Sequence, residues 1–297
     1  TELTYQILLQ KLILKFFLIQ IVTESHILVD YCYMSFNSRL KSLIKERNSC
    51  LCVGLDISSE SLGSSNISSL KKHSFDVIDI TRDLAIAYKP NFAFFERWGA
   101  AGFAWLEEII AYIGNKHILI ADAKRGDIGN TAEQYAMSIF DHFKFDAVTL
   151  SPYMGKDSIQ PFINRNEKGV FILCRTSNRS AEQIQGSKDD VKPVFKKVAI
   201  LANDLNKKKN VGLVVGATAV DELRIIRELS PDLPLLIPGI GVQGGDLEKS
   251  VELGNQSSCA LVNISRGISF AGDMSEKTIR SSAENYVSKM QSILNGK

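Results

Sequence analysis

The chain has 297 residues, 45% of them hydrophobic, which is enough for one large domain with a sizeable core or two small ones. Thirty-five Lys and Arg against 33 Asp and Glu leave a net charge of +2. That balance excludes the basic footprint of a nucleic-acid binder and the acidic tail of a solvating segment, while local charge still permits a small anionic ligand. The five cysteines (Cys32, Cys50, Cys52, Cys174, Cys259) are odd in number and form no C-x-x-C pair, so a disulfide scaffold or zinc ribbon is not expected and a reducing cytoplasm fits. The four histidines are dispersed without H-E-x-x-H spacing, and no histidine-built metal site is predicted.

In chain order, residues 1–33 differ from the remainder. Ile7 to Val22 holds twelve apolar residues in sixteen, interrupted by Gln10, Lys11, Lys15 and Gln20. A membrane span needs roughly 20 mostly apolar residues with few charges, so two lysines in so short a run argue against one, and no small-residue cleavage site follows. The first methionine is Met34. Residues 1–33 are therefore read as an apolar leader or an upstream read-through outside the fold, with Met34 as the functional start and 34–297 as a single domain without a membrane anchor.

From residue 51 onward, eight short runs rich in Val, Ile and Leu alternate with segments long enough for helices: Leu51 to Asp56, Ala85 to Lys89, His117 to Asp122, Asp146 to Ser151, Gly169 to Cys174, Val211 to Val215, Pro234 to Pro238 and Cys259 to Asn263. Continuous apolar strands spaced by helices signal a parallel sheet covered by helices. Eight repeats predict an α/β fold of the (β/α)8 TIM-barrel type, which typically takes roughly 250 residues. A doubly wound open sheet is the alternative; it is disfavoured because Gly54-Leu55-Asp56 follows the first strand where a G-x-G-x-x-G turn would be needed.

In a barrel the strand ends carry the chemistry, and here they are polar. Strand 1 ends in Asp56, strand 2 in Lys89 followed by Asn91, and strand 3 in Asp122 and Lys124. The stretch Asp122-Ala-Lys-Arg-Gly-Asp-Ile-Gly-Asn-Thr131 is the densest: two residues apart, Asp122 and Lys124 project to one side, Gly126 and Gly129 break the strand, and Asp127 brings a second carboxylate close. Asn130 or Thr131 is the expected cap of the next helix, with Glu133 or Gln134 at its third position. Alone, this string also describes a solvated ion-pair loop. With Lys89 it makes an alternating Lys/Asp/Lys/Asp array, which suits either a structural ion-pair network or a preorganised field with a proton donor. Strand 5 leads into Arg175-Thr-Ser-Asn178, whose Ser177 and Asn178 suit the polar edge of a heterocycle or a simple turn; Asp56 and Asn91 can equally cap loops. After strands 7 and 8, amides at Gly239, Gly241, Gly244 and Gly245 with Arg266 form an expected phosphate cradle. The alternative is a tight turn, with Arg266 paired to a surface carboxylate.

These residues resemble the orotidine 5'-phosphate decarboxylase family. Its D-x-K-x-x-D-I-x-x-T pattern stands here as Asp122, Lys124, Asp127, Ile128 and Thr131, in a wording similar to its second subfamily. Supporting stretches are Cys52-Val-Gly-Leu-Asp56, Lys89-Pro-Asn-Phe-Ala93, Thr176-Ser-Asn178, Pro238-Gly-Ile-Gly241 with Gln243, and Arg266-Gly267. They span residues 51 to 267; Arg179 stands where this subfamily usually has proline. The resemblance implies conversion of orotidine 5'-phosphate to UMP and CO2 in pyrimidine synthesis, with no cofactor and no metal. Lys124 is then the proton donor to C6, and Lys89, Asp122 and Asp127 complete the charged array. The implied substrate-binding set is Asp56, Asn91, Ile128, Thr131, Ser177, Gln243, Gly244 and Arg266: Asp56 with Lys89 at the ribose, Ser177 at the pyrimidine, Gln243 between base and phosphate, Arg266 at the phosphate. It also implies a homodimer in which Asp127 to Thr131 reach the neighbouring subunit's site. The rivals are a magnesium-dependent keto-sugar-phosphate decarboxylase or hexulose-phosphate synthase, and a non-catalytic, nucleotide-binding or membrane-tethered barrel.

Overall fold

The computed structural model describes residues 34–187 and 191–296; the expectations for residues 1–33 lie outside the described residues. Eight strands form a closed, all-parallel barrel in sequential order: β1 Leu51–Leu55, β2 Ala87–Pro90, β3 Ile118–Arg125, β4 Ala147–Leu150, β5 Gly169–Arg175, β6 Val211–Val215, β7 Leu235–Pro238 and β8 Ala260–Ile264. The eight predicted runs are these eight strands. Five of them are buried at every residue, because each is covered inside by the barrel core and outside by helices, which is why they read as continuous apolar runs.

The helical layer comprises α1 Phe36–Arg47, α2 Ile67–Thr81, α3 Gly99–Ile113, α4 Gly129–Met137, α5 Val194–Leu205, α6 Val220–Leu229, α7 Leu247–Gly254 and α8 Glu276–Asn295. Helix α1 lies ahead of the eight predicted repeats. Ser35 caps it by accepting the Ser38 amide, and Phe36, Leu40 and Ile44, four apart, form its buried stripe. The Phe36 ring meets Phe171 edge-on at 5.9 Å, so α1 belongs to the core. Between β4 and β5 no α-helix forms; two 3-10 turns, Lys156–Ser158 and Phe162–Asn164, make the crossover. No helix among the described residues is long and apolar enough to cross a membrane.

Two irregularities bear on the site. The β3/β4 register shifts between Ala121 and Arg125, and the β5/β6 register between Leu173 and Arg175. Each lies at the C-terminal end of its strand, where a bulge re-aims side chains into the mouth. The helix after β3 departs from expectation. It starts at Gly129, with Ile128 at the cap position and no side-chain cap bond, so neither Asn130 nor Thr131 caps it. The Asp127 carboxylate instead accepts the Ile128 amide at 2.8 Å, and Gly129 turns the chain with φ of 55°, which brings the helix start forward.

Candidate active site

A cavity of about 440 Å³ opens at the C-terminal mouth of the barrel. Asp122 stands at its centre. One carboxylate oxygen accepts from Lys89 Nζ at 2.5 Å; the other accepts from Lys124 Nζ at 2.6 Å and from the Thr149 hydroxyl at 3.1 Å. Lys89 and Asp122 are almost wholly buried, with side chains 4% and 11% exposed, whereas Lys124 is 50% exposed. Burial alone would raise the Asp122 pKa, but Lys89 and then Lys124 outweigh it and hold the carboxyl well below the usual range. For Lys89, burial pulls the ammonium's pKa down; Asp122 first and Asp56 second reverse this and leave it raised. Both groups are charged at neutral pH.

Lys124 has φ of 47°, in the left-handed region that a residue with a Cβ adopts only at a cost. Its amide donates to Thr149 Oγ1 at 3.0 Å, so one threonine holds both the Lys124 backbone and the Asp122 side chain. This threonine was not visible as a site residue from sequence. Its signal is slight: a single hydroxyl in the otherwise apolar run Ala147-Val-Thr-Leu150.

The other predicted residues divide into two groups. Asp56, Asn91, Ser177, Gln243 and Arg266 line the same cavity. Asp56 Oδ1 is buried with no hydrogen-bond partner, an acceptor that a ligand hydroxyl would satisfy. Asn91 bridges to Asp122 through the backbone, and its side chain accepts the Ala93 amide at 3.2 Å. Ser177 donates to Gln243 Oε1 at 2.8 Å, closing the cavity between the β5 and β7 loops. Arg266, at the start of the short helix Arg266–Ser269, is exposed at the cavity rim. By contrast, Asp127, Ile128, Thr131 and Gly244 lie outside the lining of their own chain's cavity; the Ile128 side chain faces solvent, 56% exposed. Two of the four glycine amides expected in the phosphate cradle are engaged within the loop. Gly244 N–H donates to the Gly241 carbonyl at 2.8 Å and Gly245 N–H to that of Gly239 at 3.0 Å. The positive φ values of Gly239, Gly241 and Gly244 fold the loop back on itself and spend those two donors internally.

Arg179 leaves the loop after β5 undisturbed. Asn178 before it has φ −76° and ψ 147°, the extended conformation that a following proline would also require. Among the described residues no group of three or more His, Cys, Asp or Glu side chains is placed to share a metal ion, and Cys50, Cys52, Cys174 and Cys259 are free and buried.

A cavity with one anion locked between two ammoniums, a half-exposed lysine and an arginine at its rim can bind an anionic ligand and deliver a proton to it. The chain is 45% identical over 255 residues to the orotidine 5'-phosphate decarboxylase of Halorubrum lacusprofundi, covering 82% of this chain and 91% of that protein. It resembles the solved structure of Leishmania donovani OMP decarboxylase with a TM-score of 0.77 and 38% identity, over 88% of this chain and 99% of the other. The L. donovani UMP synthase matches with a TM-score of 0.80 and 40% identity over 89% of this chain, which spans 57% of that longer one. With the family model of orotidine 5'-phosphate decarboxylase / HUMPS matching residues 49–280, the chain belongs to this family.

Proposed function

We propose that this enzyme decarboxylates orotidine 5'-phosphate to UMP in pyrimidine biosynthesis, without metal or cofactor. The observation that carries the reading is Asp122 locked between Lys89 and Lys124 on the cavity wall. The C6–carboxylate bond breaks, CO2 leaves, the electron pair remains on C6, and Lys124 gives that carbon a proton. Asp122 faces the departing carboxylate. The fixed ammoniums of Lys124 and Lys89 stabilise the developing carbanion without having to reorganise. Asp56 and Lys89 take the ribose hydroxyls, in keeping with the unpartnered Asp56 oxygen; Asn91 supports that end. Ser177 meets the pyrimidine edge, Gln243 spans base and phosphate, and Arg266 holds the phosphate. Gly244 joins Arg266 if its amide leaves the Gly241 carbonyl.

The enzyme works as a homodimer in the cytoplasm, with Asp127, Ile128 and Thr131 completing the partner's cavity. Their absence from their own cavity supports this, as do the exposed apolar side chains of Ile128 just before α4, Met137 at its end, and Tyr153 and Met154 in the loop after β4. The metal-dependent branch of the fold needs carboxylates around an ion, whereas here the Lys89 ammonium fills the place beside Asp122. The test is loss of orotidine 5'-phosphate absorbance on mixing with pure protein, with and without a chelator. Equal rates are expected. No consumption, or activity abolished by the chelator, overturns the reading.

A further inference from the structure

The peptide that presents Ser177 is gripped from outside the cavity. At Thr176, the last residue before Ser177, the backbone N–H donates to Gln185 Oε1 at 2.8 Å, and Gln185 Nε2 donates to the Thr176 hydroxyl at 2.8 Å. The Thr176 carbonyl accepts from Arg175 Nη1 at 2.9 Å. Arg175 is itself buried, 6% exposed, with Glu222 and Glu182 each 3.5 Å from its guanidinium. Both polar groups of one peptide residue and its hydroxyl are thus taken by side chains. On the far side Gly216 backs the loop without clearance, since a Cβ there would lie 2.8 Å from the Ser177 backbone. What remains for Ser177 is one direction, toward Gln243 and the cavity.

We propose that Gln185 is a positioning residue, which fixes the Ser177 hydroxyl against the pyrimidine through Thr176 while touching no ligand. Gln185 sits on the short surface helix Glu182–Gln185 and is absent from the cavity lining. Its amide supplies an acceptor and a donor at the spacing of the Thr176 amide and hydroxyl, a two-point grip that a single hydrogen bond could not give. Without it the Thr176 N–H turns to water at little cost in stability, and the residue keeps only the bond from its hydroxyl to Asn178 Oδ1 at 2.6 Å and the one from Arg175 Nη1 to its carbonyl, so the Ser177 peptide is held at fewer points. Misplacement of a positioning group by about 1 Å is enough to cost up to about 100-fold in rate. The inference rests on the reading of Ser177 given above.

The experiment is a double-mutant cycle in kcat/KM for orotidine 5'-phosphate, with thermal melts as a check on folding. Gln185→Met removes both polar atoms at similar volume and should lower kcat/KM roughly ten-fold. Gln185→Glu keeps an acceptor for the amide and for the hydroxyl proton, and should restore most of the loss. In a Ser177→Ala background, Gln185→Met should have no further effect, and inhibition by ribose 5-phosphate, which lacks the base, should not change in any variant. If Gln185→Met fails to fold, Gln185→Leu, which also removes both polar atoms and leaves the bond from the Thr176 hydroxyl to Asn178 in place, replaces it in the cycle. An equal loss in both backgrounds, or no loss in either, overturns the inference while leaving Ser177 in place. If Ser177→Ala itself is without effect, the Ser177 reading falls and this inference with it.

Discussion

Lys124 keeps its left-handed backbone because Thr149 and Asp122 bind its amide and its ammonium; strain of this kind persists only where the surroundings over-determine it. Lys124→Ala should remove the proton donor and lower turnover by at least about 10²-fold. Far-UV circular dichroism should be unchanged, because half of the side chain is in solvent and Asp122 retains Lys89 and Thr149. Turnover within a few-fold of the unmodified enzyme would remove Lys124 from the mechanism. Asp122 gives a pH signature. Its folded pKa lies below the unfolded value of about 3.9, so the stabilisation is complete above that value and is lost as pH falls toward the folded one. In urea unfolding, the unmodified protein should exceed Asp122→Asn by about 3–5 kcal/mol near neutrality. The gap should shrink below about pH 4; a gap constant down to about pH 2 would show that charge is not its source.

At the level of elements, strands and helices are joined by polar staples that an amphipathic pattern conceals. Arg227 stands in the last turn of α6 and is 3% exposed. Its guanidinium donates to the carbonyls of Leu253 and Gly254 at the end of α7, and to those of Ser230, Pro231 and Leu233 in the loop entering β7. Burial lowers its pKa to about 10, and the charge is met by helix C-terminal carbonyls rather than by a carboxylate hydrogen bond. Arg227→Met should destabilise the barrel by about 3–5 kcal/mol, since it leaves these carbonyls without donors. Below the melting transition, kcat/KM should hold, because these contacts lie at the strand-entry end of the barrel, away from the cavity. An unchanged melting temperature, or a large loss of kcat/KM in folded protein, would contradict this role. The bulges in β3 and β5 belong to the same scale: two extra residues in β3 against β4 and one in β5 against β6 decide that Asp122 lines the cavity while Arg175 packs outside it.

For the whole molecule, two boundaries follow. The first core side chain among the described residues is Phe36, capped by Ser35, so a protein starting at Met34 should be soluble and fully active; aggregation or inactivity would place residues 1–33 in the fold. The second boundary is that between the subunits of the proposed dimer. Lys124 lies in its own chain's cavity and Asp127 outside it, although three residues separate them. Mixing inactive Lys124→Ala and Asp127→Ala proteins should therefore regenerate activity, because one of the two cavities in each heterodimer receives both intact residues. Tagging one variant confirms that subunits exchange. Heterodimers no more active than their parents would show that each site is built from one chain.

The barrel, its eight strands and the place of Asp122 and Lys124 at the cavity end of β3 were legible in sequence because burial on both faces makes a parallel strand uniformly apolar, and polar residues in this fold gather at the strand ends. Helix α1 was not, since its apolar stripe lay outside the repeat. The start of α4 was not either: a contact between the Asp127 side chain and the Ile128 amide overrode the cap signal of Asn130 and Thr131. Thr149, Gln185 and Arg227 have polar partners 25 or more residues away or hidden behind a loop; Thr176, the partner of Gln185, is nine residues away across one. The spent amides of Gly244 and Gly245 follow from the path of one loop. Periodicity reports which face of an element is covered; which donor meets which acceptor is decided only when the elements pack, because hydrogen bonds depend on distance and angle that residue order does not contain.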